Sequence, residues 1–438
     1  MDAYSITGQT VFPEGVRPAR IGIDPGSGVV VSVEDSRNSV PADKLIFPGF
    51  VDAHVHAREY PEPTEPGSVE WEKWQSACKK EIFTSAGNAA INGGVTAIGA
   101  MPNDPSPPDN PEGYEAKLRI SESSPCPVVL FACVTRNSEP WGDIPYKVYL
   151  DSTPSTVAFD SWSDLEETLE RYRGRRLFFH AEDPEILQKN AGKGPRWKTR
   201  PPEAESNAVR RILDLTTKFG LKTHICHVST QEAVTTIQEY NRNASTRVTS
   251  EASPHHLFFH VNNGKVSAPG WREIPNVNLL ESNPPLRSET DRAFLMEALK
   301  TGQVDILATD HAPHTIQDKL AGAPGMPHLD TVGQFVCWLL KKQGFTPQRV
   351  AEALSVVPSE LFAPNLAIAQ GHIKPGFAAS FTILDLHAKV SVDRVGIQGR
   401  GLFRTRCGWS PFTGYRFPGT VMKTIVRGQG YTFYEDSL

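Results

Sequence analysis

The sequence lacks the features of several protein classes. No apolar run approaches the length of a membrane span, about 18 residues, and the longest tight stretch, PVVLFACV, is typical of a buried strand. With 45 Lys and Arg against 50 Asp and Glu, the net charge of -5 supplies no basic field for nucleic acid or an anionic membrane. The first residues, MDAYSITGQT, have neither the basic nor the apolar region of a signal peptide. We therefore expect a cytoplasmic protein with no nucleic-acid or membrane partner.

Cysteine is also scarce, at 6 of 438 residues, and it never occurs with CxxC spacing. The six are Cys78, Cys126, Cys133, Cys226, Cys337 and Cys407. We expect buried free thiols and no disulfide framework. Hydrophobic residues at 39% and charged residues at 22% are ordinary values for a folded chain. The length allows one large α/β domain with an appendage, or two to three smaller domains.

The organisation of the chain changes twice along its length. Strand-like segments broken by Gly and Pro occupy both ends, as in RIGIDPGSGVVVSVED and GTVMKTIVRGQGYTFYE. Between them, apolar runs alternate with amphipathic helical windows such as SDLEETLERYRG, which is typical of βα units. We predict that residues 1–45 and 375–438 form one small composite β domain and that residues 46–374 form a separate βα domain.

The central segment contains eight apolar runs that predict strands. They read IFPGFVDAHVH, VTAIGAMPN, VVLFACVT, YKVYLDST, RLFFHAED, KTHICHVS, VTSEASPHHL and VDILATDHAPH. Eight is the number of strands in a (β/α)8 TIM-type barrel, whose carboxyl strand ends converge on one mouth. A doubly wound open sheet is the alternative, but it would keep the first and last strands apart. We therefore predict an α/β fold with a (β/α)8 barrel.

Histidines cluster at the ends of these runs. Ten of the 13 histidines lie there: His54, His56, His180, His224, His227, His255, His256, His260, His311 and His314. His54 and His56 are two residues apart, so on a strand both rings face one side and can chelate one ion. Alone, this pair is equally consistent with two buried, hydrogen-bonded histidines. Together with His180, His227 and Asp310 on other strands, it predicts a mixed His and carboxylate metal site that suits zinc, with manganese or cobalt as substitutes.

Lys147 lies inside the apolar run IPYKVYLDST, where an unpaired ammonium is costly to bury. It either reaches the barrel rim as a cation or loses its proton, because burial lowers the pKa of a lysine. A neutral amine can add carbon dioxide to form a carbamate, which is a carboxylate on a long arm. Only the nearby metal-type residues favour this second interpretation over the first.

Other strand-end residues are candidates for catalysis and anion binding. Asp310 is a candidate metal ligand and proton carrier, although an Asp at this position could instead cap a helix. Arg58 keeps the facing of His56, and its guanidinium is suited to a substrate carboxylate. Asn103 and His314 are weaker candidates for the same anion. We expect His224 and His311 to orient neighbouring ligands, assign no role to His255 and His256, and place His260 in a loop.

The sequence resembles the metal-dependent cyclic amidohydrolases, and within them the dihydroorotase family. The matching segments cover residues 46–335 and include PGFVDAHVHAR, GGVTAIGAMPN, YKVYL, HAED, HICHVST, EASPHHLF, NPPLR, ATDHAPH and GAPGMPHLDT. The resemblance implies two zinc ions bridged by carbamylated Lys147 and a hydroxide. It implies His54, His56 and Asp310 at one ion and His180 and His227 at the other.

The same resemblance implies the substrate contacts. These are Arg58, Asn103 and His314 at the substrate carboxylate, Asn283 and the Pro324–Gly325 backbone near the ring amides, and Thr153 on a loop that closes over the substrate.

The family interconverts N-carbamoyl-L-aspartate and L-dihydroorotate in de novo pyrimidine synthesis. In the hydrolytic direction the hydroxide attacks the ring carbonyl, and Asp310 carries its proton to the leaving nitrogen. The alternatives are another cyclic amidohydrolase, such as allantoinase, dihydropyrimidinase or hydantoinase, and a catalytically silent scaffold for aspartate transcarbamoylase. The resemblance also implies a homodimer.

Overall fold

The computed structural model describes residues 2–38, 40–151, 157–271, 273–275 and 277–433. Thr153 therefore lies outside the described residues. The N-terminal strands are β1 (Tyr4–Phe12), β2 (Gly15–Asp24), β3 (Val29–Asp35) and β4 (Lys44–Pro48). The central strands are β5 (Phe50–Val55), β6 (Val95–Ala100), β7 (Val128–Leu130), β8 (Ala132–Cys133), β9 (Tyr146–Leu150), β10 (Ala158–Phe159), β11 (Arg176–His180), β12 (Lys222–Ile225), β13 (Thr249–Ala252), β14 (His260–Asn262), β15 (Lys265–Ser267) and β16 (Ile306–Leu307). The C-terminal strands are β17 (Phe381–Asp385), β18 (Val390–Ser391), β19 (Gly396–Ile397), β20 (Gly401–Leu402), β21 (Arg416–Phe417), β22 (Thr420–Val426) and β23 (Gln429–Thr432).

Helices separate most of the central strands. They are α1 (Val69–Lys80), α2 (Phe83–Asn92), α3 (Pro111–Ser121), α4 (Trp162–Arg171), α5 (Pro184–Asn190), α6 (Arg196–Thr199), α7 (Pro202–Phe219), α8 (Gln231–Asn243), α9 (Pro254–Phe258), α10 (Glu289–Thr301), α11 (Ile316–Leu320), α12 (Val332–Lys342), α13 (Pro347–Ala351) and α14 (Val357–Leu361). Polar side chains begin several of them by accepting a backbone N–H, as Ser68 does for α1 and Asn110 for α3. None of these helices is long and apolar enough to cross a membrane.

Both ends of the chain contribute to a single sheet. Its strand order is β23-β22-β17-β4-β1-β2-β3, with β4 parallel to β1 and antiparallel to β17. Thr382 ties this sheet to the central segment, because its hydroxyl accepts from Phe50 N at 3.1 Å and donates to Gly94 O at 2.5 Å. The N- and C-terminal segments therefore pair in one sheet.

All eight apolar runs form strands, which are parallel and follow in chain order. One sheet has the order β5-β6-β7, and the other contains β9, β11, β12, β13 and β16, with β8 paired to β9. Backbone hydrogen bonds from His56 N to His311 O at 2.8 Å and from His311 N to His54 O at 3.2 Å join the last strand segment to the first. In the described part of the chain these sheets do not merge into one continuous closed barrel.

The strands enclose a common apolar interior. Its buried members include residues of five strands and one residue after α14: Val51, Ala53, Ala97, Val129, Phe178, Ile306 and Phe362. The fold departs from strict βα alternation before β9, for example, because residues 134–145 contain no helix. That segment, VTRNSEPWGDIP, carries two prolines, a glycine and no helical apolar period, which explains the loop.

Candidate active site

A cavity of about 510 Å³ lies at the carboxyl ends of the strands. Most of the residues proposed from the sequence line it: His54, His56, Arg58, Asn103, His180, His227, Asn283, Asp310, His314, Pro324 and Gly325. They come from positions far apart in the chain, and the parallel strands bring them together. The site is therefore assembled at the strand ends, as the barrel prediction requires.

His54, His56 and Asp310 form a compact donor group. His54 Nε2 and His56 Nε2 lie 3.4 Å and 3.3 Å from Asp310 Oδ1, and all three residues are buried. Ligand atoms of this group lie within 4.8 Å of one another, a spacing that could hold one metal ion. Burial lowers the pKa of His54 to about 4 and also lowers that of His56, so both rings are neutral at physiological pH.

Partners on the opposite ring nitrogen orient both imidazoles. His54 Nδ1 donates to Glu251, which also accepts from His224 Nε2 at 3.1 Å. His56 Nδ1 donates to Asn103 Oδ1 at 2.6 Å. Each ring therefore presents Nε2 toward Asp310, which is the tautomer that a metal ligand needs. His224 acts as expected through Glu251, whereas Asn103 orients His56 as well as lining the cavity.

His180 and His227 form a second pair. His180 Nδ1 and His227 Nε2 lie 3.0 Å apart, and the His54 and His227 ring centroids are separated by 5.3 Å. His180 Nε2 donates to Glu182 Oε2 at 3.1 Å, and Arg200 donates two hydrogen bonds to the same oxygen. Glu182 thus fixes the His180 ring, with Nδ1 facing His227.

Lys147 lies beside these groups without lining the cavity. Its side chain is fully buried on β9, and Nζ contacts Cys226 Sγ at 2.8 Å. Cys226 precedes His227 and groups with His54 and Glu251 as a second potential set of metal donors. Among the described residues, no carboxylate forms an ion pair with Lys147.

Backbone strain concentrates at the cavity. Of the five non-glycine residues with positive φ in the described part of the chain, three line it: Arg58 at 63°, His227 at 35° and Asp310 at 47°. Such conformations cost about 1–3 kcal/mol each and persist where the surrounding structure holds them. The strain marks positions at which side-chain direction outweighs backbone preference.

Arg58 and His314 form the opposite side of the cavity. Arg58 NH2 donates to His314 Nε2 at 3.2 Å. Burial, followed by the charge of Arg58, lowers the pKa of His314 to about 2, so the ring is neutral and can accept this bond. Arg58 Nε and His314 Nδ1 are buried and have no hydrogen-bond partner, and Arg58 forms no ion pair with any described residue. In the described part of the chain, the guanidinium on this side of the cavity has no carboxylate partner.

Comparison with known proteins gives the family. The amidohydrolase family profile matches residues 45–430, which is most of the chain. The chain belongs to the amidohydrolase family.

Curated relatives of this amidohydrolase include dihydroorotases from several organisms. The chain is 30% identical over 436 residues to dihydroorotase of Thermococcus kodakarensis, covering 98% of this chain and 94% of that one. It is 31% identical over 406 residues to dihydroorotase of Shouchella clausii, covering 88% of this chain and 86% of that one. The resemblance to dihydroorotases inferred from the sequence is confirmed.

A solved structure with a similar fold is L-hydantoinase (dihydropyrimidinase) from Arthrobacter aurescens. It has a TM-score of 0.82 and 22% identity, with 98% of this chain and 96% of that one covered. At this identity the likeness concerns the fold alone. The amidohydrolase therefore has a TIM-barrel-type fold with a β domain.

Two loops carry the remaining residues that the sequence predicts to contact the substrate, Asn283 and the Pro324–Gly325 backbone. Arg196 NH1 donates to Asn283 Oδ1 at 2.7 Å and Arg196 NH2 donates to Gly322 O at 2.8 Å. Lys319 Nζ donates to Glu281 O at 2.8 Å and to Ala323 O at 2.6 Å. These two side chains hold the loop with Asn283 against the loop with Pro324 and Gly325.

The other strand-end histidines lie outside the donor groups. The His311 ring faces away from the donor groups: Nε2 contacts Glu81 Oε2 at 3.1 Å, and Nδ1 accepts from His328 N. Only the His311 backbone bonds the backbone of His54 and His56. His255 Nε2 is 4.0 Å from Asp310 Oδ2. His260 begins strand β14 and does not lie in a loop, because it pairs with Ser267 of β15.

Sequence reasoning missed several cavity and supporting residues. They are Tyr149, Asp151, Glu182, Arg196, Arg200 and Glu251. For Glu182 a signal exists, since it lies two residues after His180 and therefore faces the same way. The side-chain partners of Arg196 and Arg200 lie 18 to 87 positions away in the sequence, so no local pattern predicts these contacts.

Proposed function

We propose that this amidohydrolase is a dihydroorotase, a hydrolase that interconverts N-carbamoyl-L-aspartate and L-dihydroorotate in de novo pyrimidine (UMP) synthesis. The observation that carries the proposal is the cavity itself, in which a metal-type donor group faces an arginine that has no acid partner among the described residues. A cyclic amide that bears a carboxylate matches both sides. The identity with named dihydroorotases supports the same substrate class.

We propose that two zinc ions bind in this cavity. His54 Nε2, His56 Nε2 and Asp310 Oδ1 would hold one ion, and His180 Nδ1 and His227 Nε2 would hold the other. These nitrogen and carboxylate donors suit zinc. Lys147, as its carbamate, would lie between the ions. Bound zinc supplies a polarised carbonyl and a hydroxide at neutral pH.

Asp310 is the proposed proton carrier. Its Oδ1 faces the two imidazoles, which leaves Oδ2 to accept a proton during ring opening and to donate it to the leaving amide nitrogen. Ring closure reverses the transfer. The positive φ of Asp310 holds the carboxylate toward the cavity.

Arg58, Asn103 and His314 are proposed to bind the substrate carboxylate. A guanidinium can donate two hydrogen bonds to a carboxylate, and Arg58 Nε has no other partner among the described residues. Asn283 and the Pro324–Gly325 backbone would face the ring amides from the adjoining loops. Thr153 would close over the substrate.

Turnover of L-dihydroorotate by the full chain tests the proposal. The protein is purified with zinc and bicarbonate, and ring opening and closure are followed for the wild type, Lys147→Ala and the exposed-lysine control Lys222→Ala. We expect turnover by the wild type and the control and at least about a 1,000-fold loss in Lys147→Ala, because the bridging ligand is removed.

Two results would overturn this proposal. Turnover of allantoin, hydantoin or dihydrouracil without dihydroorotate would make the protein another cyclic amidohydrolase. No turnover of any ring by the zinc-loaded wild type would favour a silent scaffold.

We further propose a cytoplasmic homodimer able to associate with aspartate transcarbamoylase, built from a β domain of residues 1–45 and 375–438 and a (β/α)8 barrel of residues 46–374. The six free cysteines support a reducing compartment. The composite sheet, which includes β4 and β17, supports the domain division. Light scattering of the purified protein, alone and with the transcarbamoylase, measures both associations.

A further inference from the structure

Tyr149 is a cavity residue that the proposed mechanism does not use. It lies on β9 two residues after Lys147, so both side chains project from the same face of the strand. Its ring centroid is 5.2 Å from Lys147 Nζ and 6.4 Å from the His180 ring centroid. The side chain therefore lies near both the proposed bridging lysine and a proposed metal ligand.

The hydroxyl of Tyr149 is buried and has no hydrogen-bond partner among the described residues. Other buried tyrosines of the barrel are paired. Tyr172 OH bonds Ser138 Oγ at 2.8 Å, and Tyr114 OH donates to Leu130 O at 3.2 Å. Tyr146, three residues before Tyr149 on the same strand, accepts from Trp141 N at 2.7 Å and donates to Trp141 O. Tyr149 is thus the exception on its own strand.

An unpaired buried hydroxyl lowers stability, because it has lost its hydrogen bonds to water. Phenylalanine would fill the same volume without this penalty. Two other polar atoms in the same cavity, Arg58 Nε and His314 Nδ1, are also buried without partners among the described residues. Unpaired polar atoms that share a ligand-sized cavity are the pattern expected where a ligand completes the hydrogen bonds.

We infer that the Tyr149 hydroxyl donates a hydrogen bond to an oxygen of the bound cyclic amide acid and is a substrate-binding residue of this enzyme. The inference rests on the proposed function. It assigns the hydroxyl to substrate, whereas Tyr146 on the opposite face of β9 has a purely structural hydroxyl.

The test compares Tyr149→Phe with Tyr146→Phe in the full zinc-loaded chain. For Tyr149→Phe we expect kcat/KM for L-dihydroorotate to fall about tenfold or more, while the midpoint of thermal unfolding stays unchanged or rises. For Tyr146→Phe we expect the opposite pattern, with a lower midpoint and kcat/KM within about twofold of the wild type. A structural role for Tyr149 could not produce this crossed result.

Two outcomes would overturn the inference while leaving the proposed function intact. In the first, the wild type turns over dihydroorotate and Tyr149→Phe keeps the same kcat/KM. In the second, Tyr149→Phe loses activity together with thermal stability, as a packing residue would. Absence of dihydroorotate turnover by the wild type would instead overturn the proposed function, and this inference with it.

Discussion

The two sides of the cavity differ in how their polar atoms are satisfied. On the imidazole wall, defined by His54, His56 and His180, each ring has a fixed partner on the nitrogen that faces away from the donor group. On the anion wall, defined by Arg58 and His314, each residue has one buried polar atom without a partner among the described residues. The Tyr149 hydroxyl, which lies nearer His180, also has no partner among them. His227 Nδ1 shares that property at the edge of the imidazole wall.

The two walls are thus organised for two different kinds of ligand. Fixed partners set the tautomer and direction of a ring, which suits a site whose ligand is always the same ion. Unpaired donors cost stability until a ligand arrives, which suits a site that must select a substrate. Substitutions on the two walls should therefore have different effects on stability and on binding.

Replacing Asp310, which faces the imidazole wall, should have the largest effect. We expect Asp310→Asn to lower kcat by about 1,000-fold or more, because the amide cannot carry the proton. Initial-rate kinetics measure it. Asp330→Asn is the matched buried control, since Asp330 bonds Asn92 and the 404–405 backbone, away from the cavity. A decrease below tenfold in Asp310→Asn would remove it from the reaction.

Breaking the anion wall should change binding more than the chemical step. We expect Arg58→Met to raise KM for dihydroorotate about 100-fold with a smaller change in kcat, because the charged hydrogen bonds are lost. Its thermal midpoint should not fall, since a guanidinium with no acid partner among the described residues and a buried, unpartnered Nε is removed. Arg17→Met, at an exposed arginine paired with Asp35, is the control. An unchanged KM would contradict the assignment.

Removing a supporting acid from the imidazole wall should weaken metal binding. Although burial acts to raise it, the His54 and His224 imidazoles hold the pKa of Glu251 well below its usual range. We expect Glu251→Gln to lower zinc affinity about 10- to 100-fold, because an amide has one acceptor oxygen and cannot accept from both His54 and His224 as the carboxylate does. Competition with a zinc chelator measures this, and Glu205→Gln, which bonds Ser229, is the buried control. Equal affinities would show that Glu251 has no such role.

Replacing Lys319 should have the smallest effect, a change in how the free energy of unfolding depends on pH. Burial lowers the pKa of Lys319 to about 7, although Glu281 acts to raise it. Because the folded protein binds this proton less tightly than the unfolded chain, Lys319 makes stability rise with pH between about 7 and 10. Denaturant unfolding should show that the wild type gains up to about 2 kcal/mol relative to Lys319→Met between about pH 7 and 9. A constant difference would show that Lys319 keeps an ordinary pKa.

The parts of this molecule that obey local periodicity could be predicted. All eight apolar runs became strands, and the strand-end rule placed His54, His180 and Asp310 in one cavity. The HxH spacing indicated one shared donor group because strand parity fixes the facing of side chains. The composite sheet followed from the strand-like texture at both ends of the chain.

What could not be predicted depends on register between distant segments. Glu251 reaches His54 across 197 positions, and Arg196 reaches Asn283 across 87. Tyr149 looked like an ordinary apolar strand residue, because a missing hydrogen bond can be recognised only when all its neighbours are in place. The segment after β8 carries no helix because proline and glycine interrupt it, which the strand count did not reveal.

The most direct test of this account is the ratio of kcat/KM for L-dihydroorotate to that for the neutral ring dihydrouracil, measured on the zinc-loaded wild type. If the anion wall selects an acidic ring, the ratio should be at least about 100, since the neutral ring offers the Arg58 guanidinium no carboxylate. A ratio near or below one would show that the cavity does not select for the carboxylate and would contradict the central claim.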